Sequence, residues 1–403
     1  MNYTALYGNA CDKREIDRRY ALLERDCKDA GQTAPAFYSA SGRAEILGNH
    51  TDHQSGKAIV SALSCDIVAG ACRRGDGMIE IYSAGFSPIR FSVKDVEPKA
   101  SERGKSIALA RGVAGALLAK GYGIGGVSVC TNSTVFRGAG VSSSAAFAVL
   151  VAEIFNDLYL GGRLTQAEKA SLGQYSEEHY FGKPCGLLDQ SGVSYGGFCR
   201  IDFKRPDHPV LERLSPPKGY SFVIVNTGGS HSSLTEHYAL IRAEMEGVAQ
   251  YFSKKTLREV PFRLFLDRVN GLRKEMGERA ILRALHYFEE NKRVDLAAKA
   301  LREGNASAFL EQVSLSGKSS VRYLQNAFVP GSDRQPVLLG LALSERMIKD
   351  GAVRLHGGGF AGTILAVLNE DEAGRYQYEM KKIFGDKNVF SAKVRSIGAC
   401  RVK

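Results

Sequence analysis

Two hydrophobic rhythms alternate along the chain. Residues 12–30 (DKREIDRRYALLERDCKDA) are densely charged with apolar positions at helical spacing, which predicts a surface helix. FYSASGRAEILG, 37–48, predicts a short strand entering a turn. Residues 58–72, 78–82 and 89–93 are rich in β-branched and apolar residues and predict strands. Helical spacing returns over 106–120 and stops at Gly121, a candidate C-cap. Residues 127–135 (VSVCTNSTV) alternate as a strand should.

Next, Gly138 to Leu160 reads as a glycine turn, a serine cluster and a long apolar helix. A further helix is expected over 165–181, with Thr165 as N-cap and Glu168 at the capping-box spacing. Residues 219–229 (GYSFVIVNTGG) read as a buried strand stopping at a turn, and 234–252 and 277–326 as mostly helical. VRLHGGGFAGTILAVL, 353–368, reads as strand, glycine turn, strand. The class is α+β, strand-rich before about 205 and helix-rich after it. The segment 204–219 holds four of the eleven prolines and marks the expected boundary between domains 1–205 and 206–403. There is no internal repeat.

Composition narrows the function classes. At 403 residues and 44% apolar, the chain can build two cores. No apolar run approaches the roughly 20 residues that span a bilayer, and residues 1–20 lack the apolar core of a signal peptide. The expectation is a cytoplasmic protein with no membrane partner. Eight scattered cysteines form no CxxC pair, so a zinc ribbon is not indicated and the thiols are expected to be reduced. The net charge of +11 is spread out, without a basic run or an RNA-binding pattern. Nucleic acid is therefore not the expected partner; the charge suits an enzyme that gathers anionic nucleotides. A monomer is expected.

Within this frame, GAGVSSSAA, 138–146, is the strongest local signal. Glycines let a backbone turn with its N–H groups exposed, and a helix N-terminus favours phosphate. The bland alternative is a glycine turn with serine caps. The Gly-Lys-[Ser/Thr] ending of a Walker loop is missing. Gly121, Gly123 and Gly126 satisfy GxGxxG but follow a helix, so the dinucleotide context fails. Asp189, among glycines and apolar residues in GKPCGLLDQSGVSYGG, is a candidate base or a turn residue. Glu177 and Glu178 can ligate Mg²⁺ or face water. In GRAEILGNHTDHQSG, 42–56, His50-x-Asp52-His53 resembles the end of a HxHxDH metal motif, but its first histidine falls on Gly48. A rigid polyol site built from carboxylate, amide and imidazole groups is the alternative.

Taken together and in order, GRAEILGNHTDHQSG, GAGVSSSAA and LHGGGFAGT resemble the three motifs of the GHMP kinase superfamily. The first is similar to the galactokinase signature GRxNxIGEHTDYxxG, and CGLLDQ (185–190) to the galactokinase CGxMDQ segment. The resemblance runs from about residue 40 to about 368 and is closest to a variant branch of bacterial galactokinase-like proteins. It implies an N-terminal domain like ribosomal protein S5, a ferredoxin-like C-terminal domain, and ATP- and Mg²⁺-dependent phosphorylation of the anomeric hydroxyl of D-galactose. By the same resemblance Asp189 is the catalytic aspartate and Arg43 the arginine beside it. Asn49, His50, Asp52, Gly186 and Tyr238 fall on sugar-binding positions. Gly138, Gly140, Ser142, Ser143 and Ser144 form the ATP-binding loop, and Ser143 and Glu177 hold the metal.

Several positions depart from the pattern. Asn49 replaces a glutamate that in galactokinases contacts the 6-hydroxyl, Glu45 replaces an asparagine, and His53 a tyrosine. Ala361 and Thr363 stand for Gly and Cys in the third motif, and Phe136 for a proline. Competing readings are a GHMP kinase for another sugar (arabinose, a uronic acid or an amino sugar), a non-catalytic galactose sensor on the same fold, and a metal hydrolase.

Overall fold

The computed structural model describes residues 3–8, 11–135, 140–229 and 234–402. Two sheets organise the chain. The first contains β1 (Ala36–Leu47), β2 (Lys57–Arg74), β3 (Met78–Ser83), β4 (Ile89–Ser92), β5 (Gly126–Ser133), β6 (Phe198–Asp202) and β7 (Val210–Leu214). The second contains β8 (Tyr220–Gly228), β9 (Gly351–His356), β10 (Gly362–Asn369) and β11 (Val389–Ser391). A final strand, β12 (Cys400–Arg401), returns to the first sheet and pairs with β1. The first sheet runs β12-β1-β2-β5-β3-β4, and the second β11-β8-β10-β9. β2 serves two neighbours in succession: Lys57–Ser61 pairs with β6, and Ile67–Arg74 with β5. The first sheet thus takes strands from both sides of residue 205, since β7 and β12 lie beyond it.

The expected strand at 37–48 proves longer than a lead-in to a turn. All of GRAEIL belongs to β1, whose pairing with β2 is broken by irregularities at Ser41/Arg43 and Glu45/Leu47. Bulges bend a strand and re-aim its side chains. Gly42 sits at the first one because a side chain there would press on Cys65 Sγ at 2.9 Å and the Val141 carbonyl at 3.1 Å. The close approach lets the Arg43 N–H donate to Val141 O at 3.2 Å, which fastens β1 to the serine loop.

The helix Ser143–Leu160 is buried along most of its length and anchors the main core with β1, β2 and the helix Ser106–Ala119. It is apolar and long enough to cross a membrane by composition alone, but 72% of it lies inside the protein. In the second half, helices Pro336–Met347 and Glu370–Phe384 pack on β8–β10. The long helix Glu278–Arg302 bridges the halves: Val294, Ala297 and Ala298 join the main core, while Ala280, Ile281 and Ala284 join a second one.

Candidate functional site

Three turns converge beside the start of the 143–160 helix. The first is the serine loop. Gly138 and Phe136 lie outside the described residues. Gly140 has φ +65°, and a side chain on it would run into the Thr363 hydroxyl of the third glycine turn. Ser142 also takes a left-handed conformation, φ +60°, directly before the first helical residue. There its hydroxyl donates to Asp189 Oδ2 at 2.5 Å. The unpaired N–H groups and dipole of the long helix make this end favourable to an anion.

Asp189 sits on a short helix, Leu188–Tyr195, that the hydrophobic pattern does not announce. Its other oxygen, Oδ1, accepts from Arg43 Nε at 2.8 Å and Nη2 at 2.7 Å. Arg43 comes from β1 and also donates to the Gly140 carbonyl at 2.6 Å, so one guanidinium spans the carboxylate and the loop. Burial opposes ionisation of Asp189. The charges of Arg43 and Lys183 and the hydrogen bonds from Ser142 and Arg43 outweigh it and hold the carboxyl below its usual range.

Glu177 lies in one turn of π-helix, Ser176–Phe181, that continues the expected 165–181 helix, whose Thr165–Glu168 capping box is present. The wider turn carries Glu177 inward. Its Oε1 accepts from Ser144 Oγ at 2.8 Å and lies 3.0 Å from Lys183 Nζ, and its Oε2 accepts from Gln190 Nε2 at 2.7 Å. Ser144 is therefore the serine whose hydroxyl meets Glu177. Consecutive helical residues point about 100° apart, so only one of Ser143 and Ser144 can face the 176–181 turn. Glu178 points elsewhere, to Arg242 at 2.9 Å.

On the far side, His50 and Asp52 come from the turn after β1. His50 has φ +54° and bonds the Gly358 carbonyl through Nε2 at 2.9 Å. Burial drives it down to about 4, so the ring is neutral. Asp52 accepts from the Leu188 N–H at 2.9 Å and the His53 N–H at 3.0 Å. Burial nonetheless pushes it up to about 6. Gly186 must be glycine, since a Cβ there would collide with the Asp52 carboxylate. Tyr238, from the helix Thr235–Tyr251, donates to the Gly359 carbonyl at 2.8 Å and meets Phe360 edge-on. His53 stacks edge-on against His50, with ring centres 5.6 Å apart, and no metal-binding cluster of three or more ligands forms among the described residues.

Asn49 is placed differently from the expectation that it touches sugar. It is fully buried behind the turn. Its amide donates to Glu45 Oε1 at 2.9 Å and Gly357 O at 2.7 Å, and its oxygen accepts from Asn326 at 2.8 Å. With both ends of the amide engaged, it forms wall rather than binding surface. The two departures from the galactokinase pattern at 45 and 49 are thus the two ends of one hydrogen bond, with carboxylate and amide exchanged. Glu45 is clamped in turn by Arg354 Nη2 at 2.9 Å. The Glu45 N–H donates to His356 Nε2 at 3.0 Å, which leaves Nδ1–H to donate to Thr363 Oγ1 at 3.0 Å. Sequence reasoning missed Lys183, which meets Glu177 six residues before it, and Arg354, His356 and Asn326, whose partners Glu45 and Asn49 lie hundreds of positions away. For Lys183 alone a local sign existed, its place in GKPCG just before the aspartate. A surface cavity of about 630 Å³, lined by Leu234, Val329, Pro336 and Leu339, includes none of the expected site residues.

Comparison with known proteins fits this geometry. Residues 108–197 match the GHMP kinases N terminal domain, and residues 28–73 match the Galactokinase galactose-binding signature. Galactokinase from Lactococcus lactis, solved with galactose, superposes with a TM-score of 0.84 at 23% identity, over 96% of this chain and 100% of that one. Mevalonate kinase from Methanococcus jannaschii gives 0.61 at 15% identity, over 90% and 98%. Phosphomevalonate kinase from Streptococcus pneumoniae, with phosphomevalonate and AMPPNP, gives 0.59 at 12%, over 91% and 99%. A serine loop at a helix N-terminus, flanked by an arginine–aspartate pair and a third glycine turn, here lies on the fold these three kinases share. The galactose-binding signature match takes in Arg43, His50 and Asp52, and the N-terminal domain match takes in the serine loop, Glu177 and Asp189.

Proposed function

We propose that the protein transfers the γ-phosphoryl group of ATP to the anomeric hydroxyl of D-galactose, giving galactose 1-phosphate and ADP. The observation that carries the reading is the joining of Arg43, Asp189 and Ser142 at the N-terminus of the 143–160 helix. Asp189 is the acceptor that orients the sugar hydroxyl and takes its proton. Arg43 keeps Asp189 ionised and offsets charge on the moving phosphoryl group; loose phosphoryl transfer asks mainly for such positioning and neutralisation. The loop from Gly138 through Gly140 to Ser143 and Ser144 cradles the ATP phosphates. His50, Asp52, Gly186 and Tyr238 shape the sugar end.

Mg²⁺ in nucleotide sites needs only one or two protein carboxylates beside substrate phosphates. Buried Glu177, with the Ser144 hydroxyl next to it at a phosphate-favouring helix end, fits that donor set. When bound, the ion neutralises phosphate charge. The protein acts as a monomer in the cytoplasm. Release of ADP from Mg-ATP across a panel of sugars tests the proposal. Turnover is expected with galactose. Turnover with arabinose, a uronic acid or an amino sugar and none with galactose would reject this substrate, and silence with every sugar would favour a sensor.

A further inference from the structure

Lys183 belongs to no motif that led to the site, yet it stands inside it. Its Nζ lies 3.0 Å from Glu177 Oε1, the oxygen that also accepts from Ser144. Its backbone is fixed from both sides. Gly182 turns the chain at φ +84°, the Lys183 N–H donates to Glu177 O at 3.0 Å, and Pro184 follows. The two partners differ in access: the Glu177 side chain is 1% exposed and that of Lys183 is 49% exposed. The side chain therefore ends on a buried carboxylate while about half of its surface stays open, beside the helix end that favours phosphate. A lysine needed only to neutralise Glu177 would be expected to sink beside it. Glu177 already has neutral donors on both oxygens, Ser144 and Gln190.

We propose that Lys183 is a phosphate-contacting residue of the transfer site: its ammonium pairs with Glu177 in this structure and bonds the ATP phosphates when the nucleotide binds. The proposal rests on the kinase reading above. A cation that exchanges a carboxylate for a phosphoryl oxygen frees Glu177 for a metal ion as the phosphates arrive. The ammonium keeps its charge throughout, so no proton is transferred.

Two measurements test it, both without sugar. In the unaltered protein, metal-free ATP should protect Lys183 from acylation by an amine-reactive ester, read by mass spectrometry, while adenosine should not. By calorimetry in EDTA, Lys183→Met should weaken ATP binding about tenfold, the effect of losing one charge-assisted hydrogen bond. Lys183→Arg should stay within about threefold, because the charge is retained. Acylation that ATP leaves unchanged, or a Met variant binding ATP within about twofold of the parent, overturns the role of Lys183 alone. A parent protein that binds no ATP overturns the kinase reading with it.

Discussion

Arg43 and Glu45 leave the same strand two positions apart, and each finds its opposite charge far along the chain. Arg43 pairs with Asp189, and Glu45 with Arg354. In the first pair the carboxylate side chain is 22% exposed; in the second the two side chains are 6% and 0% exposed. The consequences run in opposite directions. Asp189 is held below its usual range because nearby cations and hydrogen bonds overcome burial. Glu45 is pushed above its range because burial overcomes Arg354 and Arg43. Arg354 also bonds the Glu45 and Ile46 carbonyls at 2.9 and 3.1 Å, which fixes β9 against β1. Similar pairs thus do different work: the open one is available for chemistry, and the sealed one sets the distance between two sheets.

The contrast breaks most sharply at Asp189. Asp189→Asn should lower kcat on the order of 10³-fold, within the range for lost acid–base groups, with metal-free ATP binding unchanged by calorimetry. An unaltered kcat would remove Asp189 from the chemistry. At the sealed pair the loss should fall on the fold instead. Glu45→Ala leaves buried Arg354 unpaired and should cost about 3–5 kcal/mol in urea unfolding. A cost below about 1 kcal/mol would mean that the pair sets nothing.

A smaller effect separates the exchanged ends of the hydrogen bond. Asn49→Glu puts a second carboxylate against Glu45, so it should destabilise by about 2 kcal/mol. Glu45→Asn in the same chain should recover part of that loss. Failure of the double variant to improve on Asn49→Glu would show that 45 and 49 are not one unit. The smallest expected effect concerns pH. Asp52 is pushed up to about 6, so it ionises only as pH rises through that value. Galactose kcat/KM should fall up to about tenfold per pH unit below 6, and Asp52→Asn should flatten that limb. The stability term has the opposite sign: a raised carboxyl carries a folding cost that is present above about pH 6 and relieved on acidification.

Much of this was legible because its signals are local. The serine loop and its helix, the Thr165–Glu168 box and the glycine turn at 357–362 each announce themselves within a few residues. The short helix under Asp189 does not, since LDQSGVSY is too brief and too polar for a clear period. The π-turn that carries Glu177 inward reads like ordinary helix. Asn49 could be placed on a sugar position by likeness, but its burial depends on Asn326 and Gly357, hundreds of positions away. Helix phase decided between Ser143 and Ser144, and a serine run does not reveal its own phase.

The return of β12 to β1 has a consequence for how the molecule is made. Arg395, fully buried, donates to Ser39 Oγ at 2.7 Å across 356 positions, and the Val402 N–H donates to Phe37 O at 2.6 Å. During synthesis the strand that carries Arg43 therefore waits with an open edge while the whole second half is translated. Closure of so distant a contact is slow, and unpaired edges invite aggregation. The strand that positions Arg43 is thus completed at Tyr38 and Ser39 by the last segment to be made.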